Sequence, residues 1–140
     1  MTPTSHDGSP EVEIGMPAAF AAFCQSHLDI YTRYAALRLG DDRQARILAQ
    51  AALGDLAMMW AEALQSPSPS ALAWRLLAAR IGGAAADDRA LYRVLPAVQA
   101  DAVLLRYRLG LPDEKAAEVM GWQPGEFTCL LKTAVRGAAA

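Results

Sequence analysis

The chain is a series of apolar stripes with helical period, separated by short breaks. Phe20, Phe23, Cys24, His27, Ile30, Tyr31, Tyr34 and Leu37 recur every three or four residues, which places them on one face of an α-helix. The spacing predicts a first helix from near Pro17, a residue tolerated in a first turn, to a stop at Gly40. Asp41 and Asp42 can cap a second helix, striped by Leu48, Ala52, Leu56, Met59, Trp60 and Leu64. Gly54 inside it costs about 1 kcal/mol relative to Ala and is expected to admit a closely packed helix. Ser66-Pro67-Ser68-Pro69-Ser70 breaks the pattern, and Ser70 is expected to cap a third helix reaching Ile81.

Gly82-Gly83 opens a short linker, after which Asp87 or Asp88 can cap a brief helix through Tyr92. From Pro96 onward, Val98, Ala102, Leu105 and Leu109 share one face, broadened by Val103, Leu104 and Tyr107, and Gly110 ends it. A short helix over 112–120 stops at Gly121, and Pro124 opens a last helix running to Arg136. No alternating strand pattern competes, so the expected fold is all-α, a helical bundle. Residues 1–13 carry Pro, Ser, Thr, Asp and Gly without period and read as a flexible tail. The remainder divides into helical segments at 14–83 and 84–140.

Composition supports the helical reading. Thirty of the 140 residues are Ala, the strongest helix former. Thirteen basic residues face fifteen acidic ones, a net charge of −2. That balance argues against strong nonspecific nucleic-acid binding, which needs surplus positive charge to release counterions, while permitting a local basic patch. Cys24 and Cys129 stand too far apart to suggest a disulfide framework or metal cluster, and read as reduced, buried or half-buried thiols. The longest apolar stretch is too short to span a bilayer and no secretory leader is visible, so a soluble cytoplasmic protein is expected.

Within 113–132 the residues take the spacing of a helix-turn-helix. Ala117 is small where two helices would cross, Gly121 follows four residues later at the turn, and Phe127 and Leu130 are spaced to bury the second helix. An ordinary αα-hairpin has similar spacing. The preceding residues add to the pattern. Leu95-Pro96, Gln99, Val103-Leu104-Leu105-Arg106-Tyr107 and Gly110-Leu111-Pro112 lead into it, and 91–121 as a whole resembles region 4 of the extracytoplasmic-function sigma factors. Tyr34, Leu39-Gly40-Asp41, Ala45, Leu48, Gln50, Trp60 and Ala73-Trp74-Arg75-Leu76 are similar to region 2 of that family. The chain departs from the family at Arg46 and Ile47, where an acidic pair is usual. It departs again at Thr128, Leu130, Thr133 and Val135, where basic residues are common.

The resemblance implies a transcription regulator with a 14–83 domain of region 2 type and an 84–140 helix-turn-helix domain of region 4 type, acting on promoter DNA, RNA polymerase or both. DNA would be met by Gln123, Thr128, Lys132 and Arg136, with Gln123 and Thr128 at base edges and Arg106 and Arg108 on phosphates. Four cationic contacts would give a salt slope of only about −3.6, at roughly −0.9 each. The alternative is a sigma-like interaction module that has lost DNA reading and uses Leu131 and Val135 to hold another regulatory protein, a sigma or anti-sigma factor, or a second copy. No catalytic, cofactor or metal motif is present, so neither enzymatic activity nor a cofactor is expected. His27 lies on an apolar stripe and reads as structural, and the three tryptophans read as core anchors.

Overall fold

A computed structural model describes the backbone of residues 9–84 and 90–139, and side chains over 17–84 and 90–137. Every regular element among them is helical: α1 (Ser9–Leu39), α2 (Asp42–Met58), α3 (Trp60–Gln65), α4 (Pro69–Gly82), α5 (Ala90–Val94), α6 (Ala97–Val103), a π-helical turn (Leu104–Arg108), α7 (Asp113–Met120) and α8 (Pro124–Ala139). The fold is all-α. Asp41 caps α2, accepting from the Gln44 backbone N–H at 3.0 Å.

Several boundaries differ from the sequence reading. α1 begins at Ser9, so Pro17 lies inside it and residues 9–13 are helical. Pro17 removes one backbone donor without ending the helix. The second expected helix divides at Met59, whose φ of −118° closes a tighter turn onto Leu56. Ser68, not Ser70, caps α4. Its hydroxyl accepts from the Ala71 N–H at 3.0 Å, because Pro69 suits the first helical position and makes its predecessor the cap. Gly54 is exposed, and a β-carbon there would meet nothing within 4 Å, so no helix among the described residues packs closely on it. Asp87 and Asp88 lie outside the described residues.

α1 packs along α2, α2 on α4, α4 on α7, and α6 on α8. One buried cluster runs through all of these contacts. It includes Tyr31, Tyr34, Leu56, Trp74 and Leu77 from the first half and Leu105, Val119, Met120 and Phe127 from the second. Trp60 and Trp74 are core residues as expected, and Trp122 packs against the cluster. The helical stripes therefore bury against each other across the Gly82-Gly83 linker as well as within each half.

Two polar knots cross the same junction. Tyr34 donates to Asp101 Oδ1 at 2.5 Å, and Tyr92 donates to the same oxygen. Arg38 donates to the Tyr34 hydroxyl at 2.8 Å and lies over the Tyr92 ring, 4.1 Å from its centroid. Burial pushes the Asp101 carboxyl above its usual range, while the two phenols and Arg38 pull it down. In the second knot the buried His27 meets Glu118 of α7, Nε2 to Oε2, at 3.1 Å. Its Nδ1 faces the Phe23 carbonyl at 2.9 Å, and its ring stacks on Phe23 at 3.8 Å. His27 is structural, as expected.

Candidate nucleic-acid interface

α7, Gly121 and α8 form a helix-turn-helix. Gly121 takes φ +79°; its N–H donates to the Glu118 carbonyl at 3.1 Å, and the Trp122 N–H to the Ala117 carbonyl at 2.8 Å. These two bonds make a Schellman close, which satisfies carbonyls that α7 leaves unpaired. Ala117 is buried at the crossing, as its size requires. The turn also rests on α4: a β-carbon built on Gly121 would stand 2.4 Å from the Ala71 Cα.

α8 starts with half of a capping box. Glu126 reaches back and accepts from the Gln123 backbone N–H at 3.1 Å, while the Phe127 N–H donates to the Gln123 carbonyl at 2.9 Å. This gives Glu126 a structural reason to stand at the head of α8. Glu118 and its neighbours hold α7 in place from behind. His27 and Lys115 keep the Glu118 carboxyl down to about 2, and Ser70 donates to it at 3.2 Å.

Phe127 and Ala134 are fully buried, and Leu131 joins them at 7% exposure. Leu131 is thus withdrawn from the set of partner-contacting candidates: it faces inward with Phe127, four residues before it. Leu130 is half-buried against the core, so the inward face centres on 131, one residue beyond the expected position. Val135, at 45% exposure, keeps its place on the outside.

Lys132 and Arg136 are exposed one turn apart, and neither forms an ion pair among the described residues. They share an open groove of about 470 Å³ with Thr128, Leu131, Val135, Asp113 and Tyr107. Gln123 is exposed near the turn, outside this groove. Thr128 is half-buried, and its hydroxyl donates to the Pro124 carbonyl at 3.0 Å, leaving it an acceptor and a methyl to offer. Arg106 is engaged by an acid, its Nε donating to Asp113 at 2.7 Å, so the charge it would bring to a phosphate is already matched. Arg108 is exposed and unpaired among the described residues, in an adjoining groove that also contains Tyr107.

Tyr107 and Asp113 are the groove residues that the sequence reading did not place there. The signal for Asp113 is visible in hindsight, since a carboxylate in the first turn of α7 lies within reach of an Arg in the segment just before it. Cys24 is half-buried with its thiol pushed up by burial, whereas Cys129 is exposed, which corrects the expectation for the latter. Among the described residues no group of three or more His, Cys, Asp or Glu is arranged to hold a metal. Nor is any helix among the described residues long and apolar enough to cross a membrane.

No protein-family model matches the chain, and no curated protein matches it by sequence. Among solved structures, a chain of the RsbN–BldN complex is similar to it, with 23% identity, 93% of this chain and 96% of that chain covered, and a TM-score of 0.45.

Proposed function

We propose that the protein is a transcription regulator of the sigma-factor type, whose α7–α8 helix-turn-helix binds promoter DNA. The observation that carries this reading is the outward face of α8. Lys132 and Arg136 stand exposed and unpaired there beside Thr128, while Phe127, Leu131 and Ala134 pack inward. A helix presenting cations and a hydroxyl on its free face, anchored by an apolar face behind it, meets the requirements of groove binding. The resemblance of 91–121 to region 4 supports the same reading, and RNA polymerase is the protein partner it implies. In this reading Gln123 and Thr128 meet base edges, and Lys132, Arg136 and Arg108 meet phosphates.

Fluorescence anisotropy with a labelled promoter library at ~50 mM salt tests it. With Arg106 held by Asp113, three phosphate contacts predict a salt slope of about −2.7, at roughly −0.9 per contact. Absence of binding at that salt overturns the reading. One observation favours the alternative, a sigma-like module that binds a regulatory protein: exposed Val135 lies in the same groove as exposed Tyr107. Under that alternative Val135→Asp abolishes the protein complex without unfolding the chain, and Lys132→Ala has little effect.

A further inference from the structure

We propose that Tyr107 is a neutral phosphate contact, delivered to the α8 face by the π-helical turn that precedes α7. The proposal rests on the DNA-binding reading and extends it to a residue outside the helix-turn-helix. Had α6 continued as a regular helix, Tyr107 would stand seven residues after Ala100 and three after Leu104, both buried. Its phenol would then point along the core stripe. The chain instead closes a wider turn, with the Leu109 N–H donating to the Leu104 carbonyl at 2.9 Å. Tyr107 leaves the stripe and becomes 56% exposed. Such turns are rare within helices and occur often at functional sites.

Once outside, the ring is held. The Arg106 guanidinium lies 5.3 Å from its centroid, and that guanidinium is itself tied to Asp113. Arg106 is therefore a positioning residue for the Tyr107 ring. The phenol hydroxyl has no hydrogen-bond partner among the described residues and shares its groove with Lys132 and Arg136. The carboxylate in that groove, Asp113, is matched by Arg106. An uncommitted O–H donor beside two uncommitted cations suits an anionic oxygen that can only accept, and a phosphate of the DNA backbone is such a group.

The experiment is a salt titration of binding to a short fluorescein-labelled duplex of mixed sequence, for the parent chain, Tyr107→Phe, Tyr107→Leu and Lys132→Ala. Tyr107→Phe is expected to weaken binding about tenfold, the loss of one hydrogen bond to a charged group, and to leave the salt slope unchanged because no charge is removed. Tyr107→Leu should weaken it to the same extent, since the hydroxyl and not the ring makes the contact. Lys132→Ala should flatten the slope by about 0.9. If Tyr107→Phe binds like the parent while Lys132→Ala still flattens the slope, the Tyr107 contact is overturned and the helix-turn-helix reading stands. If Tyr107→Phe also flattens the slope, the substitution acts through the cations and the contact is again overturned. If the parent fails to bind at ~50 mM salt, both readings fall.

Discussion

Gly121 rests directly on Ala71: a β-carbon at position 121 would come within 2.4 Å of the Ala71 Cα and Cβ and 2.5 Å of its N. The turn of the helix-turn-helix is therefore pressed onto the first turns of α4, and the glycine is required twice over, by its φ of +79° and by this approach. Gly110 has a similar φ of +74° with open space around it. Gly110→Ala should cost about 1–2 kcal/mol, from backbone strain alone. Gly121→Ala should cost about 3–5 kcal/mol, because α4 and α7 must also part. Urea unfolding of the two variants checks the difference, and equal losses would remove the Ala71 contact as its cause.

Phe127 and Lys132 separate folding from binding on a single helix. Phe127→Ala empties a fully buried site and should destabilise by about 3–5 kcal/mol. Lys132→Ala should leave stability within about 0.5 kcal/mol, as for most surface positions. Thermal melts of the two variants decide it. A large loss for Lys132→Ala would mean that α8 is rotated from the orientation described.

Tyr31 and Tyr34 are nearly one turn apart, both fully buried, and should respond in opposite directions to loss of the hydroxyl. The Tyr31 hydroxyl has no hydrogen-bond partner among the described residues, and burial pushes its pKa far up. Tyr31→Phe removes an unpaired polar atom and should stabilise by about 1 kcal/mol. Tyr34→Phe takes a donor from the buried Asp101 and an acceptor from Arg38, and should destabilise by about 1.5–3 kcal/mol. Denaturant midpoints for both variants give the signs directly.

Glu118 carries an acid-sensitive part of the stability. Hydrogen bonds from His27 and then Lys115 hold its folded pKa at about 2, below its ordinary value of 4.5. An acid with a lowered folded pKa stabilises fully above the unfolded value and loses that contribution as pH falls through the folded one. The advantage of the parent over Glu118→Gln should therefore shrink between about pH 4.5 and about pH 2. The side chain is 45% exposed, so screening keeps the effect small. Urea unfolding of both proteins across this range measures it, and a constant gap would contradict the pairing.

The helix-turn-helix was legible because its constraints are local. Ala117 must be small, Gly121 must turn, and Phe127 must return to the core, all within a dozen residues. The centre of the α8 face was not legible, because Phe127, Leu130, Leu131, Ala134 and Val135 form an apolar band wider than one stripe. Tertiary packing buries Leu131 and leaves Leu130 half-buried. The π-helical turn was equally hidden: the pattern of 97–109 satisfies a regular helix, while the chain closes with the Leu109 N–H on the Leu104 carbonyl and the Leu111 N–H on the Leu105 carbonyl. The pairing of Tyr34 with Asp101 and of His27 with Glu118 joins residues that no periodicity connects.

That second pairing spans 91 residues, and the span sets an order of events during synthesis. At ribosomal rates the His27 imidazole waits on the order of ten seconds before Glu118 exists to meet it. Over the same interval Tyr34 waits for Asp101, 67 residues downstream, and the faces of α1 and α4 that later meet α6 and α7 remain uncovered. For a fold whose described elements are all helical these closures are distant in sequence, and distant closures slow folding. The core that joins the two halves is therefore completed only once α7 has been made.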